Sequence, residues 1–555
     1  MKLRKIFSLL FVMCFCGTLF VNAQSSAVKK VADATFTLTT FDKEGSIMST
    51  TNGVFVSSDG VCVSTWKPFI GAEKAVIIDN KGQRYDVEML LGANEIYDIV
   101  KFKVNAKTIA AKLSSSVSDN SEAWIVQPSK VGMPEKAVVS KVETFMNKYN
   151  YAVLNTAAPE KMNGAPVVNA QGQVIGIYNN SGELRSSTDA GYAVDFKLVG
   201  LSQNDLTMQQ CGICVGLPDN SDEAVIALML SSRAKETIKQ QLLNEFIKKF
   251  PTLNNGYSML ATDLIVKGDI ANADKILTEA ISKATAKDEA HYNYSRLIYK
   301  GITLPSLKDK VSAQGWTLDK AMNEVEKAIK EKELNVYKHL KAQILYAKGD
   351  YKQAKDGFES LTKTDIKNPE LYLELAQCAE QMKGNDDEIL GYLNKSIELC
   401  DTPYVQNAAP YFFARAQQYD KMGQYRAAMK DLYVYEFLNR GRLDASFYYM
   451  REQIEVKGKL WQQAMQDILI ATQLAPEEPM YFAETGNLFL RLGKYDDAIL
   501  AAQTAVKLNS EYSEAYLILG IAQCKSNKKD EGKANIEKAK ALGNPQADNF
   551  LKGLQ

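Results

Sequence analysis

The chain has 555 residues, too many for one ordinary domain, and 46% of them are apolar, which is ample for several hydrophobic cores. Lys plus Arg and Asp plus Glu number 66 each, so no strong net charge indicates nucleic acid or an anionic membrane as a partner. Because the sequence has only two histidines, a zinc site built from His and Cys is improbable, and we expect no metal and no cofactor.

Residues 1–23 have the pattern of a cleaved secretory signal. A basic start precedes an apolar run from Ile6 to Val21, and the small-residue site VNA ends it. An N-terminal anchor is the alternative, but the run has about 16 residues where a membrane span needs about 20. A lipoprotein signal fits less well, because large residues precede Cys14 and Cys16. The sequence therefore predicts export to the periplasm or cell envelope of a Gram-negative bacterium, or secretion.

Residues 24–200 alternate short β-branched and aromatic runs with Gly, Asn and Asp punctuation. The runs include ATFTLTTFD, GVFVSSDGVCVST, KAVIID, RYDVEML, IVKFKV, EAWIVQP, KAVVSKVE, YAVLNT, APVVNAQGQVIGIYN and GYAVDFKLV. Ten or more strands at this spacing, with no helical period between them, predict an antiparallel all-β barrel pair or sandwich.

Four segments of this region resemble trypsin-like serine proteases of the HtrA type, and they occur in the family's order. They are TNGVFVSSDGVCVSTWKPF (51–69), NEIYDIVKFKV (94–104), KMNGAPVVNAQGQVIGI (161–177) and GYAVDFKLV (191–199). The first resembles the family's first-barrel segment, and the last resembles the segment that closes the domain. The resemblance implies a trypsin-like double β-barrel.

The same resemblance implies a degenerate catalytic triad. Lys67 stands at the position of the catalytic histidine, and Asp98 stands at the position of the triad aspartate. Asn163 takes the place of the nucleophilic serine. Lys161 takes the place of the glycine whose backbone donates to the oxyanion, so the third catalytic element is also expected to be spoiled.

The chemistry of acyl transfer leads to the same expectation without the resemblance. A serine nucleophile needs an adjacent base, usually a histidine oriented by a carboxylate. No histidine occurs between residues 24 and 290, so no alignment error can supply a Ser-His-Asp triad there. A lysine of ordinary pKa, about 10.4, is protonated at neutral pH and is a poor base. We therefore expect a pseudoprotease and no enzymatic activity.

The alternative is a serine-type endopeptidase with a Ser-Lys dyad or a misaligned site. A working dyad requires a lysine that is desolvated and deprotonated. The candidate serines are Ser57, Ser58, Ser64, Ser114, Ser115 and Ser116. For Lys67 the simpler hypothesis is an ion pair with Asp98 in the volume that a His-Asp pair would fill.

The motif CGIC contains the one closely spaced pair of cysteines after the signal, Cys211 and Cys214. In an oxidising compartment this spacing allows a local disulfide. A redox motif would open a helix after a strand, whereas the surrounding LTMQQCGICVGLPDN has the composition of a linker over residues 201–220. We expect structural or free thiols, with disulfide exchange as the alternative.

Residues 221–555 have a hydrophobic period near 3.6 and an internal repeat. The best copy is YFAETGNLFLRLGKYDDAILAAQTAVKLNS (481–510), and small residues recur 34 positions apart, as in the pair Gly486 and Gly520. This is the pattern of a tetratricopeptide repeat, and it predicts a solenoid of about eight to nine helical pairs. Predicted repeats start near residues 254, 335, 369, 409, 445, 479 and 513, with a weaker one around 288–330.

Stacked helix pairs form a concave surface that binds peptides or proteins rather than performs chemistry. We predict a protein or peptide partner on that surface, no nucleic acid, and no integral membrane segment after signal cleavage. Tyrosines such as those of HYNYSRLIYK either line this groove or pack between helices, and packing is expected for His291 and His339. The predicted function is an exported pseudoprotease that acts as a protein-binding scaffold in the cell envelope.

Overall fold

A computed structural model describes residues 26–553 of the chain, so the signal expected over residues 1–23 lies outside the described residues. The chain divides into two compact units, of which the first ends at Ala290 and the second begins at His291. The first unit contains all the strands and the helices up to residue 283, and the second is entirely helical.

The first barrel is a closed antiparallel ring of six strands. They are β1 Thr35–Phe41, β2 Ile47–Phe55, β3 Val61–Ser64, β4 Lys74–Asp79, β5 Arg84–Asn94 and β6 Ile99–Val104. Around the ring they run β1-β2-β3-β6-β5-β4, and β4 pairs back with β1. Successive side chains of a strand point to opposite faces, so one set, including Phe36, Leu38 and Phe102, fills the barrel core.

The second barrel repeats the connectivity of the first. Its strands are β7 Glu122–Ile125, β8 Glu135–Phe145, β9 Tyr149–Thr156, β10 Pro166–Val168, β11 Val174–Asn180 and β12 Arg185–Thr188. The ring order β7-β8-β9-β12-β11-β10 is that of the first barrel, and β10 closes it onto β7. Val139, Leu154 and Tyr178 lie in its core. The predicted double β-barrel is confirmed.

One predicted strand of this region is wrong. GYAVDFKLV (191–199) begins inside a short helix, α1 Ala190–Val194, because the Asp189 carboxylate accepts the Gly191 N–H at 2.8 Å and caps its first turn. The strand that completes the second barrel is β12, which the sequence did not indicate because its RSST stretch is polar throughout.

Residues 201–220 pack on the first barrel and are not the separate linker that the sequence predicts. Val215 bridges to Leu90 of β5, and the Leu90 N–H donates to the carbonyl of Cys214 at 2.8 Å. The side chains that enter the barrel core are Met208, Cys211, Ile213 and Val215. Removal of these apolar groups from water holds the segment in place.

Four further helices lie wholly in the first unit. They are α2 Ser221–Leu230, α3 Glu236–Lys249, α4 Asn254–Lys267 and α5 Ile270–Lys283. Leu228, Leu242 and Phe246 form an apolar cluster with Cys214 and Leu217, so the helical pair predicted at residues 221–250 packs against the segment that leaves the barrel. This packing explains why the compact unit continues far beyond the predicted domain boundary.

Helix pairs make up the second unit. The helix α6 Lys287–Thr303 begins before the boundary between the units, and the helices that follow it are α7 Pro305–Ala313, α8 Leu318–Glu331, α9 Asn335–Lys348, α10 Tyr351–Leu361, α11 Pro369–Gln381, α12 Asp386–Glu398, α13 Ala409–Lys421, α14 Tyr425–Leu438, α15 Ala445–Lys457, α16 Trp461–Leu474, α17 Pro479–Arg491, α18 Tyr495–Leu508, α19 Ser513–Lys525, α20 Lys529–Ala541 and α21 Ala547–Gly553. The first helices of six pairs begin at 335, 369, 409, 445, 479 and 513, where the sequence places repeats.

Small residues set the approach of the paired helices. An added Cβ at Gly486 of α17 would lie only 3.2 Å from the backbone oxygen of Ala498 in α18, so the first helix needs a small residue there. Within residues 26–553, no helix has the length and apolar character that crossing a membrane requires.

Candidate functional site

A cavity of about 450 Å³ lies in the first unit at the position that the protease resemblance indicates. Its walls include Lys67, Asp98, Lys161 and Asn163, so the four degenerate positions come together. The remaining wall residues are Met48, Ser49, Thr50, Thr51, Thr65, Pro68, Ile70 and Glu160. The volume is within the usual range for ligand-binding clefts, about 300–1,000 Å³.

Asp98 is held firmly by two donors at the floor of this cavity. The backbone N–H of Lys67 donates to Oδ1 at 2.8 Å, and Nδ2 of Asn179 donates to Oδ2 at 2.7 Å. Asp98 is 7% exposed and has a positive φ of 45°. Burial raises the pKa of its carboxyl, while the N–H and the ammonium of Lys67 act against that rise.

Lys67 begins a separate 3-10 turn, Lys67–Phe69, and its side chain extends toward solvent. Its Nζ lies 4.0 Å from Oδ2 of Asp98, and its side chain is 64% exposed. An ion pair this long and this open is worth about 0–1 kcal/mol. This contact agrees with the ion pair expected between Lys67 and Asp98, although the exposed ammonium adds little to the two hydrogen bonds that the Asp98 carboxylate accepts.

Asn163 uses its side chain to bind the neighbouring strand. Its Oδ1 accepts the N–H of Asn180 at 2.6 Å, and its Nδ2 donates to the carbonyl of Asn180 at 3.2 Å. The amide thus pairs with the end of β11 much as a backbone peptide would. Its own carbonyl accepts from the Asn52 N–H at 2.9 Å and also from the Thr51 hydroxyl.

The turn before Asn163 binds the backbone N–H of Asn163, which an oxyanion hole would need as a donor. Residues Glu160–Met162 form a 3-10 turn, and the N–H of Asn163 donates to the carbonyl of Glu160 at 2.8 Å. In an acyl-transfer enzyme the N–H at the nucleophile position points at the developing oxyanion. Here that N–H points back into the turn, and the carbonyl of Lys161 accepts from Nδ2 of Asn52 at 3.0 Å.

The two closed barrels have the same strand order, and the four positions that align with the catalytic residues line one cavity. This is the architecture that the resemblance to trypsin-like proteases implies. In the helical half, a family model described as a tetratricopeptide repeat matches residues 484–532. The chain has the double β-barrel fold that this resemblance implies, followed by tetratricopeptide repeats.

Comparison with solved structures finds an "HtrA-type protease AlgW with tripeptide", at 20% identity and a TM-score of 0.27. The match covers 31% of this chain and 61% of that chain, so it spans less than two thirds of that protease's length. Comparison with curated proteins finds no match. The fold assignment therefore rests on the paired barrels and on the repeated helix pairs.

Sequence reasoning missed the polar residues that lock the site of the protease-fold domain. Asn52 and Thr51 bind the Asn163 turn, and Asn179 and Asn180 bind Asp98 and Asn163. The available signal was the polar pairs in TNG and YNN, which interrupt strands that are otherwise apolar. Their partners are distant in sequence, so only the folded chain shows them.

Three of the six serines considered for a Ser-Lys dyad have other side-chain partners in the protease-fold domain. The Ser64 hydroxyl donates to the carbonyl of Asn52 at 2.5 Å in the barrel interior. The Ser57 hydroxyl donates to the Asp59 carboxylate, and the Ser114 hydroxyl accepts from the N–H of Ser116 at 3.1 Å.

The structure contradicts a disulfide between Cys211 and Cys214, because the two thiols are free and enter different cores. Cys211 lies in the first barrel, whereas Cys214 packs with the helices α2 and α3. Burial raises the pKa of Cys211 to about 11 and that of Cys214 to about 12. The thiolate that disulfide exchange requires is therefore disfavoured.

We expect Cys211 and Cys214 of the folded chain to react with iodoacetamide at pH 7.5 at least about a hundredfold more slowly than in urea, because the reagent attacks the thiolate. Peptide mass spectrometry measures the two rates, and Cys524, which is only half-buried, is the internal control. Equal rates in the folded and unfolded chain would show that these thiols are accessible.

Both histidines contact glutamates within the repeats. Nδ1 of His291 lies 2.6 Å from Glu324, and Nε2 of His339 lies 2.5 Å from Glu374. Burial on its own would lower the pKa of His339, but the Glu374 hydrogen bond outweighs it and raises the pKa. Nowhere in residues 26–553 do His, Cys, Asp and Glu side chains form a group that could hold a metal ion.

Aromatic side chains of the repeats also pack between helices. The rings of Phe413 and Tyr435 lie 4.9 Å apart, and those of Tyr435 and Phe447 lie 5.4 Å apart, which joins α13, α14 and α15. These three aromatic residues therefore pack between helices and do not serve to line the concave surface of the repeats.

Proposed function

We propose that the protease-fold domain holds polypeptide without cutting it. The observation that carries this proposal is the state of Asn163, whose amide pairs with Asn180 and whose N–H closes the 160–163 turn. These contacts support a site that has no nucleophile at position 163 and whose N–H at that position is not available to an oxyanion. Loss of the nucleophile and the base alone costs a protease of this mechanism about a million-fold in turnover.

The cavity is the expected peptide site of this domain. It keeps the size of a binding cleft, and the exposed ammonium of Lys67, the half-buried Ser49 and the exposed Thr50 line it. An extended peptide that enters such a cleft binds through its main chain and through pockets for alternate side chains. Tetratricopeptide repeats add a second surface for a protein partner. The signal pattern at residues 1–23 supports export of this scaffold to the cell envelope.

Filling the cavity tests the proposed binding. We expect Thr50→Trp to weaken the affinity for a reduced, carboxymethylated polypeptide at least about tenfold, because an indole placed on the cavity wall takes the volume that the peptide needs. Fluorescence anisotropy of the labelled polypeptide measures the affinity of the full chain. Lys43→Trp is the matched control, because Lys43 is exposed in the β1–β2 turn. Equal affinity of both variants and the parent chain would contradict a peptide site in this cavity.

A further inference from the structure

The repeat that begins at Ala445 carries two acids at core positions. Glu452 is the eighth residue of α15, and Glu455 is the eleventh. The eighth residue of the other first helices is Ala342, Ala376, Ala416, Gly486 or Gly520, and the eleventh is Leu345, Ala379, Tyr419, Phe489 or Gln523. Both glutamates are 0% exposed. Repeat packing therefore does not explain why acids stand there.

The nearest cation already has other partners. Arg451 binds Asp467 in a bidentate pair, with Nε to Oδ2 at 2.6 Å and Nη2 to Oδ1 at 2.8 Å. Its Nη1 donates to Glu436 at 2.7 Å. Neither oxygen of Glu455 has a hydrogen-bond donor, although this carboxyl lies within hydrogen-bonding reach of Asp467.

Glu452 is also incompletely satisfied. Its Oε2 accepts from Nε2 of Gln453 at 2.6 Å, and its Oε1 has no partner. A buried, ionised carboxylate without donors costs several kcal/mol, so it takes up a proton instead.

The groups that face the two glutamates come from all neighbouring helices. Tyr433 lies on α14, Tyr449 on α15 itself, Asp467 on α16, and Glu484 and Arg491 on α17. Glu436 of α14 joins the cluster through its bond with Arg451. Of the two cations near the cluster, Arg451 is paired and Arg491 is exposed at the end of its helix. With every carboxyl ionised, this core would therefore hold a large excess of negative charge.

We propose that the folded repeat binds protons at Glu452 and Glu455, and that the Glu455 carboxyl donates its hydrogen to the Asp467 carboxylate. Each proton comes from solvent and neutralises one carboxylate, so the buried Arg451–Asp467 pair is left balanced. When base removes these protons, the Glu455–Asp467 bond becomes a repulsion between two carboxylates, and the repeat opens.

The direction of the titration agrees with this geometry. Burial, followed by the charge of Asp467, raises the pKa of Glu455 to about 9, and burial, followed by the charge of Glu484, raises that of Glu452 to about 8. The ordinary value is 4.5. The stabilisation from proton uptake is fully present below about 4.5, declines as the pH rises, and is gone above about 8 to 9. For each extra proton in the native chain, the folding constant falls about tenfold per pH unit in this window.

The preceding repeat provides an internal comparison. Arg415 binds Asp431 with the same bidentate geometry, 36 positions before the second pair. There Ala416 and Tyr419 replace the two glutamates, so this repeat has an Arg–Asp pair without a proton site.

Infrared spectroscopy of the full chain tests the proposal directly. At pH 7 we expect the carbonyl stretch of protonated carboxylic acid, reduced in Glu455→Gln and in Glu452→Gln and unchanged in Glu477→Gln, an exposed control. The band disappears between pH 8 and 10. Absence of the band from the parent chain at pH 7 overturns the proposal, and this outcome requires no variant to fold.

Amide exchange localises the effect. At each pH, the protection factors of α15 and α16 in the parent chain are divided by those in the Glu452→Gln/Glu455→Gln variant. We expect this ratio to fall at least about a hundredfold between pH 6 and pH 9. The protection of α9 and α10, which carry no group of this cluster, is expected to change equally in both chains. Equal pH dependence of α15 in both chains would overturn the proposal.

Discussion

Gly164→Ala is expected to destabilise the protease-fold domain by about 4 kcal/mol or more. Gly164 has a φ of 79°, which costs an L-residue about 1–2 kcal/mol, and an added Cβ would lie 2.1 Å from the backbone oxygen of Asn52. That oxygen also accepts the Ser64 hydroxyl, so it has no room to move. The close approach joins the second barrel to β2 of the first.

Chemical denaturation of a version with Trp316→Phe and Trp461→Phe measures this effect, since Trp66 and Trp124 then report on the barrels alone. Gly182→Ala is the matched control. Its φ is 91°, but nothing lies within 4 Å of an added Cβ, so only the backbone cost of about 1–2 kcal/mol is expected. Equal losses for both variants would show that the contact with Asn52 is not tight.

Arg451→Met is expected to destabilise the repeat at Ala445 by about 3–5 kcal/mol, because it leaves Asp467 buried without its cation. The Arg451 side chain is 3% exposed, and the rings of Tyr433, Phe447 and Tyr448 surround its guanidinium. The unpaired, buried Asp467 carboxylate accounts for most of this loss of stability, and the lost contacts of the guanidinium with the three rings add to it.

Arg415→Met is the control for this substitution. It breaks the equivalent ion pair with Asp431. Because Arg415 is 19% exposed, water can hydrogen-bond to the Asp431 carboxylate in its place, and we expect a smaller loss of stability. Amide exchange of α15 in the first variant and of α13 in the second compares the two losses. A change of less than about 1 kcal/mol for Arg451→Met would contradict the buried pair as a structural element of this repeat.

Most of the fold could be predicted from local pattern. Alternation of apolar residues located most of the strands of the two barrels, and the 34-residue recurrence of Gly486 and Gly520 located the repeats. The polar strand β12 has no alternation that would predict it. The stretch GYAV has the composition of a strand, but the cap at Asp189 starts the helix α1 there. The composition of residues 201–220 predicts a linker, because the apolar side chains that hold this segment on the barrel are few and widely spaced.

The candidate site could be predicted only in outline. The resemblance placed Lys67, Asp98, Lys161 and Asn163 together, and all four line one cavity. No local pattern shows that the amide of Asn163 pairs with Asn180, because this contact depends on how a turn meets a strand. The buried glutamates Glu452 and Glu455 were equally hidden, although their positions in the repeat mark them once the helix bounds are known.

Labelling with a fluorophosphonate probe most directly tests whether the protease-fold domain lacks chemistry. The probe forms a covalent adduct with a serine only when a base and an oxyanion site activate it. We expect no adduct on the purified full chain after incubation at pH 7 to 9, and no cleavage of a polypeptide that the chain binds. Stoichiometric labelling of any serine between residues 26 and 200 would contradict the account and identify a peptidase.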